Sequence, residues 1–434
     1  MTSPDLVSGT DSGHGSAGPL LDPRDRPAAA LWALFAGIGL LMVGNGLQGS
    51  VVGIGTQTEG FSAAAAGLIM AAYFVGFLAG GRLATRAVAA VGHIRVFAAL
   101  TSMASASAVV HALVVHPLSW GLMRFVTGVC LAGLYVVAES WINDMATNAN
   151  RGRLLAVYMV VTTGGIGLAQ LLLNLPDAGQ VELFIVASVL VSLSAVPITL
   201  AATSAPPVRT PAPMPARQLA AIIPTGITVA FFLGLAHGTL IGLGSVYAAS
   251  VGLRPGQVAL FVAAPLVGAV VFQLPIGFAS DRLPRRGLML ATAVLATGCG
   301  MALLAVDDGS TLNYLALFVL GGASFPLYSL AIAYTNDWLE PEQIVGASAA
   351  LVTVYSVGAV VGPLAATALT IAFGPSQFFV TLAAAHGAVV VYLVYRVTTS
   401  DAPPIDEQRA YAPFPARASA VAAQLLRPRG RRRR

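Results

Sequence analysis

Hydrophobic positions fall into about twelve long runs separated by short polar stretches. The runs lie near 29–52, 62–84, 94–115, 119–141, 153–175, 181–203, 221–247, 256–280, 287–306, 311–334, 343–373 and 375–396. Each is long enough to cross a hydrocarbon core of roughly 30 Å as a helix of about 20 residues. The pattern predicts an all-α membrane protein with twelve transmembrane helices. Gly, Ala and Ser fill the runs, which suits close packing where no hydrophobic effect drives helices together. A Pro-rich stretch from Ser204 through Arg217 reads as an extended linker between the sixth and seventh runs.

The second half of the pattern repeats the first. Phe125-Val126-Thr127-Gly128, Leu134-Tyr135, Ala138 and Asn143-Asp144 recur as Phe318-Val319-Leu320-Gly321, Leu327-Tyr328, Ala331 and Asn336-Asp337, at a constant offset (318 − 125 = 336 − 143 = 193). Shared Tyr, Asn and Asp are not supplied by apolar composition alone. The repeat predicts two pseudo-symmetric six-helix bundles built to rock about a central site. Expected boundaries are a disordered tail at 1–27, a first bundle at 28–203, a linker at 204–219, a second bundle at 220–397 and an Arg-rich tail at 398–434.

Composition narrows the class. Only 9% of residues are charged and 56% are hydrophobic, against roughly 25% charged in soluble domains, so the outer surface must face lipid. Residues 1–27 lack the basic segment of a signal peptide, and the first apolar run is too long for one. Cys130 and Cys299 lie inside apolar runs and read as packing residues, not as a disulfide or metal pair. No phosphate-cradling Gly-x-x-x-x-Gly-Lys segment, clustered metal ligands or nucleophile–base constellation appears. An ATP-driven pump and an enzyme are therefore disfavoured, and no cofactor is expected.

All 23 basic residues are Arg. With the amino terminus inside, every one but Arg254 and the embedded Arg124 falls on a cytoplasmic segment, so both termini are expected in the cytoplasm. The terminal run from Arg427 to Arg434 could rest on anionic lipid headgroups or be incidental; nucleic acid is not an expected partner.

The sharpest local signal is Gly277-Phe278-Ala279-Ser280-Asp281-Arg282-Leu283-Pro284-Arg285-Arg286, a short turn after the eighth run. Gly277 permits close helix approach, Asp281 suits the positive end of a neighbouring helix, and Arg282, Arg285 and Arg286 can bridge to carboxylates. One reading is a contact that holds one face shut; the other is that these Arg residues only set topology. Asp144 and Asp337 occupy matching helix ends. Asp337 is a natural partner for Arg285 or Arg286, and Asp144 for Arg86 or Arg95.

This turn resembles the loop signature of the major facilitator superfamily, with Pro284 where that family has Gly. An equivalent first-half copy at Thr85–Ile94 is degraded: Ala89 and Ala90 replace Asp-Arg, while Gly92 is kept. Arg124-Phe125-Val126-Thr127-Gly128 resembles the same family's Arg-x-x-x-Gly motif, which implies a role for Arg124 in proton transfer or substrate contact. Snorkelling of Arg124 to the outer surface is the competing account. The Gly-x-x-x-Gly-Pro motif of antiporters is missing from Thr162–Gly167 and stands instead at Gly358–Pro363, where it marks packing and a bend. Val137-Ala138-Glu139-Ser140 and Asn150–Met159 resemble the YcaD-type branch. The likeness spans roughly residues 30–396.

The resemblance implies the major facilitator fold, a cavity lined by helices 1, 4, 7 and 10, and a proton as coupling ion. Those helices supply Asn45, Gln48, Tyr135, His237 and Tyr328, with Asn45 and His237 at equivalent places (237 − 45 = 192). His237 reads as a packing residue or a proton carrier, and His111 and His386 as structural. Glu139, where the second half has Ile332, is either a proton-coupling carboxylate or a bridge to Arg151 or Arg153. Few polar groups in an apolar pocket suit a small, moderately hydrophobic organic solute. The expected function is secondary transport by alternating access in a bacterial cytoplasmic membrane, as a monomer, with proton-coupled export favoured. Metabolite uptake and a non-transporting sensor or scaffold are the alternatives.

Overall fold

A computed structural model of the chain describes residues 26–147, 150–175, 179–201, 214–400, 404–409, 411–414, 418–419 and 421–426. Residues 1–25 of the expected amino-terminal tail, most of the linker and the run of four terminal arginines lie outside them, and the last two residues assigned to that tail already belong to the first helix. Twelve long helices organise the fold: α1 Arg26–Thr58, α2 Ala63–Val91, α3 His93–Leu113, α4 Pro117–Met145, α5 Arg151–Ala169 and α6 Gln180–Leu193, then α7 Pro224–Ser250, α8 Pro255–Ser280, α9 Arg285–Ala302, α10 Thr311–Asp337, α11 Ile344–Phe373 and α12 Gln377–Thr399. A 3-10 turn, Gln170–Asn174, extends α5, and a short helix, Ala195–Ala201, prolongs α6.

Eleven of these helical stretches are long and apolar enough to cross a membrane by length and composition. The exception, α9, opens with Arg285 and Arg286, whose charge lowers its average hydropathy although both are buried. The apolar run near 287–306 therefore starts two residues late: hydropathy treats as solvated two arginines that the fold buries.

Helix ends follow local chemistry. Ser62 and Ser310 cap α2 and α10 by accepting the amides of Ala65 and Asn313 (3.2 and 3.1 Å). Pro occupies the first turn of α4, α7 and α8, where its missing N–H costs nothing. Gly92 turns α2 into α3 at φ +87°, a conformation that favours glycine. The linker differs from expectation at its end. Ala216–Ile222 forms a short helix with Leu219 buried, and the chain breaks at Ile223 because Pro224 follows.

The repeat is visible as packing. On the α2–α4 crossing, a methyl built on Gly76 would overlap the Phe125 carbonyl, and one on Gly128 the Tyr73 carbonyl. The equivalent α8–α10 crossing places Gly268 on the Phe318 carbonyl and Gly321 on the Pro265 carbonyl. Gly358 and Gly362 press likewise on the α7 backbone. Such crossings leave no room for a side chain. Gly321→Ala is expected to cost about 1–3 kcal/mol. Gly81→Ala, where a methyl meets open space, should be neutral or slightly stabilising. Thermal unfolding in detergent distinguishes them, and equal midpoints would contradict the crossing.

The starts of α1 and α7 and the end of α12 share what is here termed the terminal face; the opposite end is the distal face. The halves meet through α1 against α7, α2 against α11 and α5 against α8. Their named contacts (Gly53 with Ser245, Gly67 with Thr367, Gly167 with Leu266) lie toward the distal face. At the terminal face the described carboxyl-terminal residues lie between the halves. Val421 packs with Ala84 of α2 and Val136 of α4, while Phe414, Ala418 and Ala422 join the buried cluster of the second half.

Candidate functional site

The predicted site residues fall into three groups. The first is the turn after α8. Arg285 and Asp337, each 1% exposed, form an ion pair, the one such pair among the described residues. Arg285 also donates through Nε to Ser280 Oγ (2.9 Å) and through Nη2 to the Arg409 carbonyl (2.7 Å). Arg286 takes other partners. It donates to the Arg396 and Ser400 carbonyls at the end of α12 (3.0 and 2.6 Å), where a helix dipole favours a cation, and to the Tyr334 hydroxyl (3.0 Å). Among the described residues Asp281 meets no helix terminus; it is exposed and accepts the Tyr411 amide (2.8 Å). Arg282 is exposed, and Gly277 lies directly against the Tyr411 ring. Burial pushes the Tyr411 hydroxyl above the ordinary phenol range, so it stays protonated. In the first half His93 stands where Arg285 does (285 − 192 = 93), buried beside Trp141 with ring centroids 5.8 Å apart. The side chain of Asp144 is outside the described residues.

The second group belongs to the first bundle. Arg124 lies two turns from the distal end of α4, with its guanidinium 4.5 Å from the Tyr73 ring centroid. Gln48 reaches Thr127 Oγ1 at 3.4 Å, Thr127 pairs with Ser107 (2.8 Å), and the buried Asn45 Oδ1 has no hydrogen-bond partner. Tyr135 donates to Met42 Sδ (3.1 Å). Glu139 is fifteen residues beyond Arg124 (139 − 124), about 22 Å along the helix axis. The two are not one site.

Glu139 is fully buried. Its carboxylate accepts from the Tyr158 hydroxyl (2.7 Å), the Ser419 amide (2.9 and 3.0 Å) and the Ser419 hydroxyl. Every donor is neutral, and neither Arg151 nor Arg153 supplies one. Nothing local in the sequence marks Tyr158 or Ser419 as a partner of Glu139. Tyr158 follows Glu139 by nineteen residues on the next helix, a spacing with no local signature. Ser419 lies in an apolar stretch between Arg417 and Arg427, far from Glu139 in the chain.

The third group is a hydrogen-bonded chain across four helices of the second bundle. His237 Nδ1 faces the Tyr355 hydroxyl (3.0 Å) and its Nε2 faces Ser324 Oγ (2.8 Å); Ser324 meets His386 Nε2 (2.6 Å), and His386 Nδ1 meets the Leu382 carbonyl (2.8 Å). A carbonyl only accepts, so His386 Nδ1 carries a proton. In neutral rings this orders the rest: Ser324 donates to His386, His237 donates to Ser324, and Tyr355 donates to His237. His237 also stacks on Phe325 at 4.1 Å. Tyr328 packs 4.6 Å from the Tyr355 ring centroid and its hydroxyl has no hydrogen-bond partner. A narrow crevice remains between α2 and α11, lined by Tyr73, Phe74, Phe77, Tyr355, Ser356 and Ala359.

Residues 226–431 match the family described as Major Facilitator Superfamily, and residues 31–207 match that described as Sugar (and other) transporter. An uncharacterized MFS-type transporter of Enterobacter sp. (strain 638) is 29% identical over 356 residues, covering 81% of this chain and 91% of that protein. The uncharacterized MFS-type transporter YcaD of Escherichia coli O139:H28 is 28% identical over 357 residues, with the same coverage. Among solved structures, a bacterial homolog of the human lysosomal transporter Spinster, inward-facing and occupied, superimposes with a TM-score of 0.70 at 16% identity, covering 90% of this chain and all of that one. The nucleoside transporter NupG gives 0.66 at 12% identity, covering 84% of this chain and 99% of that one. With twelve long helices in two like bundles, and relatives matched along most of its length, this multi-pass membrane protein belongs to the major facilitator superfamily of transporters.

Proposed function

We propose that the protein is a secondary transporter that moves a small, moderately hydrophobic organic solute across the bacterial cytoplasmic membrane by alternating access, exporting it in exchange for protons. Both termini are then cytoplasmic, as the distribution of Arg favours, and the terminal face is the cytoplasmic one. The observation that carries the reading is Glu139: a fully buried carboxylate on α4, between the halves, held only by neutral donors. A buried carboxylate without a cation is stabilised by taking a proton. Movement of the halves that wets or dries this position alternately favours the anion and the acid, which couples proton passage to the conformational cycle. The sparse polar groups on α1, α7 and α10, set among aromatic and aliphatic side chains, favour an apolar solute over a sugar-like one.

The transporter acts as a monomer in this proposal, and its terminal arginines rest on anionic headgroups at about 1 kcal/mol per charge near the surface. A thermal-shift screen against small organic solutes identifies a ligand, since binding raises the unfolding temperature. Everted vesicles then test coupling. With Glu139→Gln, accumulation driven by a pH gradient should fall to the level seen without one, while exchange of labelled for unlabelled solute persists. Unchanged gradient-driven accumulation would refute the proton role.

A further inference from the structure

The described carboxyl-terminal residues are held mainly through their backbone. Asp337 Oδ1 accepts the Arg409 amide (2.9 Å), Asp281 Oδ1 the Tyr411 amide (2.8 Å), Ser329 Oγ the Phe414 amide (3.1 Å), and Glu139 the Ser419 amide. Ser329 also donates back to the Phe414 carbonyl (3.0 Å), and Arg285 to the Arg409 carbonyl. These groups sit on α4, α9 and α10 and in the turn after α8, and the amides they bind would be offered by any extended peptide. Side chains then fill the space. Phe414 is 1% exposed beside Tyr328, and Ala418 and Ala422 are fully buried.

From these contacts we propose that the cleft at the terminal face is a binding site for extended peptide main chain, and that the described residues between 404 and 426 are its tethered ligand, a plug that fills the cleft and straps the two halves together. One end is tied to the second bundle through Asp337, Asp281 and Ser329. The other is tied to the first through Glu139 and through Asn143, which donates to Gln424 (2.8 Å). Rocking of one half against the other stretches this strap, so transport requires its release. A tether holds its ligand at an effective concentration in the millimolar range, so modest contacts suffice to keep the cleft filled. That the plug also competes with protons for Glu139 rests on the functional reading above; the occlusion itself does not.

The test reads occlusion without substrate. In a background of Cys130→Ala and Cys299→Ala, Ser329→Cys is reacted with a water-soluble maleimide in the full chain and in a chain ending at Pro403. The thiol should react at least tenfold faster in the shortened chain, and a synthetic peptide of residues 404–426 at millimolar concentration should slow it again. Equal rates in both chains would overturn the plug. Should the shortened chain fail to fold, the full chain carrying Ser329→Cys and Phe414→Cys decides: mild oxidant should remove both thiols through an internal disulfide. Persistence of two reactive thiols would overturn the proposed seating. Neither readout depends on solute or proton movement, so a negative result leaves the transport reading separately testable.

Discussion

Asp337→Asn is expected to destabilise the protein by about 3–5 kcal/mol, the cost of leaving a buried charge without its partner. Arg285 is 1% exposed and its guanidinium does not deprotonate, so loss of the carboxylate charge leaves a cation supported only by Ser280 and the Arg409 carbonyl. Asn is the informative replacement because it keeps an oxygen at the position that accepts the Arg409 amide. It removes the charge and spares the strap. Arg285→Met alone orphans the carboxylate in the same way, whereas the double variant removes both charges. The two single losses should therefore not add, with a coupling of about 1–3 kcal/mol in a double-mutant cycle on unfolding free energy. Reversal of both charges, Asp337→Arg with Arg285→Asp, should likewise recover part of what Asp337→Arg loses. Strict additivity would show that the pair contributes no more than two independent solvated charges.

The helices were legible because lipid leaves a chain few options: backbone groups must bond within the segment, and the segment must be apolar. The two-bundle plan was legible because Tyr, Asn and Asp recur at one offset, and Gly268 and Gly321 mark a crossing that Gly76 and Gly128 had already marked. The Arg285–Asp337 contact could be anticipated because charges are scarce and a short turn confines them. Hydropathy failed where polar groups are buried inside the fold. It trimmed α9 by its two buried arginines, and it set aside Arg409–Leu426 as tail although Phe414, Ala418, Val421 and Ala422 are buried. A closer signal was present in that segment: between Arg409 and Arg427 the sequence carries one charge, Arg417, and a largely apolar run. The carboxylate site was legible only at Glu139. Its partners come from α5 and from a residue 280 positions away (419 − 139), and no local spacing announces a contact of that range.

The hydrogen-bonded chain through Ser324 was equally hidden, because its members lie on α7, α10, α11 and α12, and it yields the second large effect. One hydroxyl oxygen serves two buried imidazoles, accepting from His237 Nε2 and donating to His386 Nε2. Ser324→Ala leaves both nitrogens without a partner where water does not reach. At about 1–3 kcal/mol for each orphaned group, the variant should lose about 2–6 kcal/mol. The same reasoning predicts a rescue. Replacing His237 by Phe in the Ser324→Ala protein removes one orphan and keeps a ring against Phe325, which His237 already stacks upon at 4.1 Å. It also releases the Tyr355 hydroxyl from its acceptor, so recovery should be partial. Unfolding midpoints of the three proteins measure this directly. A Ser324→Ala variant as stable as the parent would mean that the imidazoles find other partners and that the chain contributes nothing to the second bundle.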